Sequence, residues 1–290
     1  MLDQYQCSAP ARVVAAPFLK WAGGKSSLLK QYARFFPTEP VNTYFEPFVG
    51  SGAVFFYLQG EQIARSVRLS DINAELINVY RVVRDDVEAL IDCLLHHKLH
   101  HSLWYYYHIR GLDREPGWRE RASRVERAAR MIYLNKTCYN GLWRVNSRGE
   151  FNVPMGRYNN PRICDEPRLR AASRALRGVE LAHMSFEEAV ADAGPGDFVY
   201  FDPPYMPLSD TANFTSYTRG GFGPDEQARL AGVFRELDRR GARVMLSNSE
   251  HPVVRKLYAG FRIEQVCARR HINSRANGRG PIHEVVVLNY

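Results

Sequence analysis

Short apolar runs bounded by turn residues alternate with amphipathic stretches in the outer parts of the chain. Residues 223–241 are predicted to form a helix, because Leu230, Phe234 and Leu237 recur at helical spacing on one face. Strands that alternate with helices indicate an α/β fold with a mostly parallel sheet. The predicted buried strands are TYFEPFVG (43–50), SVRLSD (66–71), DFVYFDPPY (197–205), ARVMLSN (242–248) and EVVVLNY (284–290).

The middle of the chain has a different pattern. Residues 76–180 are arginine-rich and are predicted to be mainly helical. They include one hairpin at 139–153, YNGLWRVNSRGEFNV, in which two short runs flank the turn NSRG. The pattern indicates an insert between two halves of one α/β domain, 17–75 and 181–290. Residues 1–16 are predicted to be an N-terminal extension.

Composition argues against a membrane-spanning or secreted protein. No apolar run approaches the roughly 18 residues that a membrane-spanning helix needs. The first 16 residues lack the basic start and apolar core of a signal peptide. Five cysteines without a CxxC pair suit a reducing compartment, so a cytoplasmic protein is expected.

The net charge of +8 is concentrated in one stretch. Residues 110–180 contain 16 Lys and Arg against 8 Asp and Glu, an excess equal to that of the whole chain. Because arginine binds phosphates and guanine edges well, a nucleic-acid-binding face is favoured. A solvated basic surface is the alternative.

The stretch FEPFVGSGAVFF (45–56) has the form of a strand, a Gly-x-Gly turn and a helix start. Glycines at such a turn let the backbone approach a ligand closely. Asp71 ends the next predicted strand, 21 residues after Gly50, where an acidic residue commonly binds ribose hydroxyls. Capping of a helix that begins near Ala74 is the alternative role for Asp71.

The sequence DPPY (202–205), which follows the apolar run FVYF, carries the most specific chemical signal. A carboxylate, two prolines and a tyrosine at a strand end predict a rigid, irregular turn. Asp202 and the Pro203 carbonyl can both accept hydrogen bonds from one exocyclic amino group, while Tyr205 stacks on the ring that carries it. This arrangement suits a base extruded from a duplex. A proline-rich turn with a capping Asp is the alternative.

With these motifs the chain resembles the DNA adenine-N6 methyltransferases of the Dam type, from about Pro17 to Tyr290. The resemblance implies a Rossmann-like S-adenosylmethionine-dependent methyltransferase sheet with an inserted, mainly helical target-recognition domain that contains the β-hairpin. It implies sequence-specific methyl transfer to N6 of adenine in double-stranded DNA, by base flipping and in-line transfer, with GATC as the expected target. Trp143, at a variable site, and the N-terminal extension depart from the family pattern. The motifs that carry the resemblance are, in order, FLKWAGGK, FEPFVGSGAVF, SDIN, YLNKTCYNGLWRVNSRGEFNVPMGRY, DPPY, FTSY and SNSE.

The resemblance also implies roles for individual residues. Arg144 is the residue expected to read a guanine edge. No metal ion is expected, a monomer associated with the nucleoid through DNA is expected, and a partner nuclease is left open. The expected S-adenosylmethionine contacts are Trp21, Lys25, Phe48, Gly50, Gly52, Asp71 and Asp202. The expected catalytic residues, which hold the adenine, are Asp202, Pro203, Pro204 and Tyr205. The expected DNA contacts are Tyr139, Asn140, Leu142, Arg144, Asn152, Pro154, Tyr158 and Tyr217.

The sequence favours adenine methylation over several alternative activities. A cytosine-5 methyltransferase needs a nucleophilic cysteine after a proline, and the sequence contains no Pro-Cys pair. Amino-cytosine and glutamine methyltransferases more often carry Ser or Asn in place of Asp202, so adenine is favoured. A DNA-binding regulator without catalysis is opposed by the intact motifs. A triphosphate loop around Gly24 and Lys25 lacks its leading glycine, since position 19 is leucine.

Four further features have two interpretations each. The histidines at 96, 97, 100 and 101 have spacings that could bind zinc, but a polar helix face is favoured. Tyr105, Tyr106 and Tyr107 are expected to pack in a helix rather than stack on bases. The basic stretch 269–281 could contact phosphate or be a solvated loop. Tyr217 could cover the flipped base or have only a structural role.

Overall fold

The structure, a computed structural model, describes residues 13–207, 222–269 and 281–290. Its centre is a seven-stranded sheet in the order β3–β2–β1–β4–β5–β7–β6. The five strands from β3 to β5 are parallel, whereas β7 runs antiparallel to both of its neighbours. The strands are β1 Val41–Glu46, β2 Ala64–Asp71, β3 Glu180–His183, β4 Phe198–Phe201, β5 Arg243–Ser249, β6 Arg262–Arg269 and β7 Pro281–Leu288.

Helices cover both faces of the sheet, and those from α4 to α8 lie between β2 and β3 in the chain. Among the described residues, no helix is long and apolar enough to cross a membrane. The α-helices are α1 Leu29–Tyr32, α2 Ala53–Gly60, α3 Ala74–Asp85, α4 Val87–Leu99, α5 Leu103–Gly111, α6 Trp118–Arg121, α7 Arg124–Thr137, α8 Glu166–Ala175, α9 Phe186–Ala189, α10 Pro224–Arg239 and α11 Pro252–Leu257.

Alternation along the strands divides the buried side chains between two cores. Tyr44 and Phe198 point to one face of the sheet, and their neighbours Phe45 and Val199 point to the other. The first face packs against α2, α3, α4, α7 and α8, and the second against α9, α10 and α11. Because strand side chains alternate with period two, the continuous apolar runs of the sequence fill both cores. The predicted α/β class and mostly parallel sheet are confirmed.

The boundaries of the elements differ from the predictions at functional positions. The first and third predicted strands end early, at Glu46 and Phe201, so the motifs that follow them lie in turns. Strands β3 and β6 were not predicted. The sequence ELAH of β3 is short, and β6 at the sheet edge, RIEQVCAR, has neither a long apolar run nor a regular alternation. The helix predicted at 223–241 is α10.

The predicted hairpin is present as two arms joined by single bridges. Val145 pairs with Phe151, and Cys138 pairs with Met155, both antiparallel. The turn closes through hydrogen bonds between Asn146 and Glu150, with Gly149 at a φ of 80°. A glycine is needed there because a positive φ strains other residues.

Candidate active site

The Gly-x-Gly turn joins β1 to α2 and is packed tightly from both sides. Gly50 and Gly52 have φ values of 47° and 67°. A Cβ on Gly50 would lie 2.9 Å from Cδ1 of Trp21, and one on Gly52 would lie 2.7 Å from the hydroxyl of Tyr80. That hydroxyl donates to the Gly50 carbonyl at 3.0 Å. The turn therefore requires glycine for its dihedral angles and for its packing.

Asp71 ends β2 beside this turn, as the sequence predicted. Its Oδ2 accepts from the Gly50 backbone N–H at 3.3 Å, and its Oδ1 accepts from the Asn73 N–H at 2.9 Å. Burial raises the pKa of this carboxyl to about 6. The cap of α3 is Asn73, whose side chain accepts from the Leu76 N–H, so Asp71 is not the capping residue.

The FLKWAGGK segment runs across the same end of the sheet. Within the described residues 13–24 no strand leads into it, as a triphosphate loop would require. Lys25, only 3% exposed, places its Nζ 2.7 Å from Oδ1 of Asp202 and also donates to the Gly23 carbonyl. The lysine thus pairs with the carboxylate of the DPPY turn.

The DPPY turn is held by two elements behind it. Gln227 of α10 donates to the Pro204 carbonyl at 2.9 Å, and Asn248 of β5 accepts from the Met206 N–H at 3.2 Å. Asn248 also donates to Gln227 at 3.0 Å, which closes the network. Gln227 and Asn248 are fully buried. A buried and satisfied network of this kind fixes the turn.

Within the turn, the acceptors of Asp202 differ in their surroundings. Its Oδ1 accepts from Ser247 Oγ at 2.8 Å in addition to pairing with Lys25. Among the described residues, nothing donates to Oδ2 of Asp202 or to the Pro203 carbonyl. Tyr205 donates through its hydroxyl to Glu284 at 2.7 Å, and its ring lies 4.7 Å from Lys25 Nζ.

One cavity of about 250 Å³ joins these motifs. Asp71 is the last residue of β2 and Asp202 follows β4, on either side of β1, so two strand spacings of about 5 Å separate them. Apolar walls and two carboxylates suit a ligand with a flat ring, a ribose and a positive charge. All seven predicted cofactor residues except Gly52 line the cavity. The lining also includes Glu46, Val49, Ile72, Asn73 and Tyr200.

Glu46 is a functional candidate that the sequence reasoning missed. It is 3% exposed at the end of β1, and its Oε2 accepts from the Tyr44 hydroxyl at 2.7 Å. Burial raises its pKa to about 8, which the Tyr44 hydrogen bond only partly offsets. Its position inside the FEPFVG motif was visible, but its burial against the cavity was not.

The hairpin brings two predicted DNA contacts together. Arg144 Nε donates to Asn152 Oδ1 at 2.8 Å across the two arms. The side chain of Tyr139 is exposed, and its backbone N–H donates to the Pro154 carbonyl at 2.9 Å. Asn140 is exposed in the left-handed region, at a φ of 55°. The structure thus joins Arg144 to Asn152 and Tyr139 to Pro154 between the two arms.

The remaining predicted DNA contacts have different surroundings. Leu142 is half-buried, and Tyr158 lies with its ring 4.2 Å from Lys20 Nζ. Tyr217 and its FTSY motif lie outside the described residues, as does nearly all of the basic stretch 269–281. Trp143 is buried against Phe151 at 4.7 Å, so it supports the hairpin. Lys20 was not predicted, although it stands within the FLKWAGGK motif.

Two of the four histidines pack against tyrosines, whereas His96 and His100 are exposed. His97 hydrogen-bonds the Tyr105 hydroxyl at 2.7 Å, and His101 hydrogen-bonds the Tyr133 hydroxyl at 2.9 Å. Within the part of the chain that the structure describes, no group of three or more His, Cys, Asp or Glu could hold a metal ion. Tyr106 is buried and donates to the Val153 carbonyl of the hairpin at 2.9 Å.

Comparison with known proteins agrees with these motifs. A family model described as D12 class N6 adenine-specific DNA methyltransferase matches residues 21–272. Type II methyltransferase M1.LlaDCHI of Lactococcus lactis is 46% identical over 94% of this chain and 95% of its own length. Type II methyltransferase M.MjaIII of Methanocaldococcus jannaschii is 45% identical over 94% of this chain and 99% of its own length. The DNA adenine methylase of Escherichia coli K12 is 35% identical over 93% of this chain and 94% of its own length.

Proposed function

The chain belongs to the D12 class of N6 adenine-specific DNA methyltransferases, and we propose that it methylates GATC in double-stranded DNA through the turn Asp202–Tyr205. As a member of this class it transfers a methyl group from S-adenosylmethionine to N6 of adenine in DNA. We propose in addition the target sequence, the flipping of the base and the roles of the individual residues. A monomer is proposed to act on each strand in a separate event.

One observation carries the assignment of the catalytic turn. Oδ1 of Asp202 is taken up by Lys25 and Ser247, whereas Oδ2 and the Pro203 carbonyl have no donor among the described residues. The neighbouring Pro204 carbonyl, in contrast, is taken up by Gln227. Two rigidly held acceptors are thus available for the two N–H bonds of one amino group.

The adenine amino nitrogen is a poor nucleophile because its lone pair is delocalised into the ring. Hydrogen bonds to Asp202 and the Pro203 carbonyl favour a pyramidal nitrogen that can attack. Tyr205 stacks on the extruded base, and its hydroxyl bond to Glu284 fixes the ring. Positioning and electrostatics are the contributions that the protein makes.

The cofactor residues are proposed from the cavity. When bound, S-adenosylmethionine supplies a methyl group that its sulfonium already activates. Asp71 would accept hydrogen bonds from the ribose, and Trp21 and Phe48 would form apolar walls. Lys25 has its place beside Asp202, where it holds the carboxylate that faces the base. Gly50 and Gly52 would admit the ligand close to the backbone.

The hairpin is proposed to enter the major groove as part of a target-recognition region at 76–180. Arg144, oriented by Asn152, would read a guanine edge. Tyr139, Asn140 and Pro154 would contact the duplex beside it. The remaining proposed contacts are Leu142, Asn152, Tyr158 and Tyr217.

The catalytic assignment is tested with Asp202→Ala and Asp202→Asn in a tritiated-methyl transfer assay on DNA. We expect both variants to lose methyl transfer, because neither retains the carboxylate, while duplex affinity stays within a few-fold of wild type. Retention of substantial transfer by either variant would show that Asp202 is not essential. Arg239→Ala, an exposed change at the end of α10, is the control and should leave transfer unchanged.

The target is tested by single-molecule sequencing of DNA from cells that lack adenine methylation and express the protein. GATC methylated on both strands is the expected result. A different methylated motif would refute GATC but retain the catalytic turn, whereas absence of N6-methyladenine with purified protein and cofactor would refute the activity itself.

A further inference from the structure

Asn135 is a fully buried side chain near the end of α7 with three hydrogen bonds to backbone atoms. Its Oδ1 accepts from the Lys20 N–H at 2.8 Å. Its Nδ2 donates to the Lys20 carbonyl at 2.6 Å and to the Gly141 carbonyl at 3.0 Å. Because one partner can only donate and two can only accept, the orientation of the amide is determined by the backbone.

These bonds connect the two parts of the site that are proposed to hold different ligands. Lys20 directly precedes Trp21, which lines the cavity and packs on Gly50. Gly141 closes the short turn Tyr139–Gly141, from which the proposed DNA contacts emerge. One amide therefore joins the cofactor segment to the DNA-reading turn.

The two segments also approach closely at this point. A Cβ on Gly141 would lie 2.6 Å from Cδ of Lys20 and 2.7 Å from its Cβ. The positive φ of Gly141, 66°, is a second reason why glycine is favoured at this position. Glycine and asparagine together thus set the distance between the cofactor segment and the hairpin.

We infer that Asn135 is a positioning residue that sets the DNA-reading turn relative to the cofactor cavity. It touches neither ligand and acts through the backbone of Lys20 and Gly141. Its loss leaves three backbone groups without their partner and lets the two segments move relative to each other. Because transfer needs the base and the methyl group aligned, a small displacement lowers the transfer rate more than it lowers the affinity for either ligand. The inference rests on the proposed roles of the hairpin and the cavity.

The test compares Asn135→Ala with Thr137→Val. Thr137 is equally buried two residues away, and its hydroxyl donates to the Tyr133 carbonyl, so its side-chain hydrogen bond stays within the helix. Its backbone carbonyl accepts from the Gly156 N–H, a bond that Thr137→Val keeps. The measurements are the equilibrium affinity for labelled S-adenosylmethionine, the single-turnover transfer rate on a GATC duplex, and that rate on duplexes with one substituted base pair. If sequencing identifies another motif, duplexes with that motif replace GATC.

For Asn135→Ala we expect cofactor affinity within about threefold and a transfer rate lower by about 10- to 100-fold, the range for a misplaced reactant. The ratio of rates on target and substituted duplexes should also fall. Thr137→Val should keep the rate and the ratio within about threefold even where its unfolding midpoint falls similarly. Equal losses in the two variants, or no loss in Asn135→Ala, would overturn the inference.

Gly141→Ala provides an independent second variant should Asn135→Ala fail to fold. It perturbs the same contact from the turn and keeps the buried amide. The same pattern is expected, with cofactor affinity retained and the transfer rate and discrimination reduced. A Gly141→Ala protein with the wild-type rate and discrimination would overturn the inference. A wild-type protein that transfers no methyl group would instead refute the proposed function.

Discussion

At the scale of single residues, acidic side chains in and beside the cavity accept hydrogen bonds from neutral donors. Glu46 accepts from Tyr44, Glu284 accepts from Tyr205, and Asp202 accepts from Ser247. Burial raises the pKa of Glu46 and of Glu284. Only Asp202 of these three is in direct contact with a cation, the buried Lys25. The ion pair holds the Asp202 carboxylate at the position that is proposed to bind the amino group.

The raised pKa of Glu46, about 8, predicts how stability depends on pH. A carboxyl whose folded pKa is above its unfolded value of 4.5 stabilises the protein at low pH, and this contribution is lost as pH rises to 8. Between pH 6 and pH 8, one such group changes the unfolding free energy by up to about 1.4 kcal/mol per pH unit. Glu46→Gln should therefore lose less stability over this range than wild type, measured by urea unfolding of the cofactor-free protein.

The slope of unfolding free energy against pH is compared between Glu46→Gln and wild type. This comparison removes the contributions of the other titrating groups, which the two proteins share. Glu264→Gln, at the surface of β6, should follow the wild-type dependence on pH. Parallel curves for Glu46→Gln and wild type would show that Glu46 is ionised in the folded protein at pH 6.

The residues that sequence alone identified are those whose chemistry is contained in a short motif. Asp71 was predicted at the strand end where it lies, and Asp202 and Gly50 belong to predicted turns, because strand ends and glycines mark such positions locally. The pairing of Lys25 with Asp202 and the burial of Asn135 depend on contacts between distant parts of the chain. Local patterns contain no information on such contacts, so Asn135 and Glu46 were missed.

At the scale of elements, helices α5 and α7 support the hairpin. Asp113, just after α5, accepts from the Phe151 N–H of the second arm at 2.8 Å. The same carboxylate pairs with Arg130 of α7 at 2.9 Å and with Arg114 at 2.7 Å. Arg114 also donates to the Phe151 carbonyl at 2.8 Å. Some arginines of the basic stretch therefore hold the hairpin in place and are not available to DNA.

Asp113→Asn should destabilise this arrangement strongly. Arg130 is buried, and a buried charge that loses its partner costs about 3–5 kcal/mol. Urea unfolding should show a correspondingly lower free energy of unfolding. Glu88→Gln, which breaks the exposed pair with Arg170, is the matched control and should leave the midpoint almost unchanged. A similar small effect for both variants would contradict the supporting role of Asp113.

Helices and strands were predictable where the apolar residues follow one clear pattern, either helical spacing or a continuous run. Helix α10 has apolar residues on one face, and the strands β4, β5 and β7 each contain a continuous apolar run. The hairpin was predicted from its turn residues, but its supports were not. Tyr106, Asp113 and Arg130 lie on elements before it, and no spacing in the sequence relates them to the arms.

At the scale of the whole molecule, the charge of the insert is distributed between its interior and its surface. Arg130 is buried, whereas Arg148, Arg157 and Arg162 are exposed. The excess of +8 in residues 110–180 is therefore only partly available for phosphate contacts. The nucleic-acid face favoured by composition is narrower than the basic stretch itself.

The insert and the sheet also share one hydrophobic core. Leu94 of α4 and Ile132 of α7 belong to the same cluster as Tyr44, Leu69 and Phe198 of the strands. A segment that buries its apolar face against the sheet lacks a complete core of its own. The proposed target-recognition region 76–180 is thus expected to depend on the catalytic part for its stability.

This shared core predicts that the two parts unfold together. Three of the four tryptophans, Trp104, Trp118 and Trp143, lie within 76–180, so fluorescence reports mainly on the insert. Far-ultraviolet circular dichroism reports on all helices and strands. In urea the two probes should give the same midpoint, because a cooperative transition leaves no populated intermediate. S-adenosylmethionine, which binds only the folded protein, should raise both midpoints equally. A lower fluorescence midpoint, or a cofactor shift confined to circular dichroism, would show instead that the insert folds independently of the sheet.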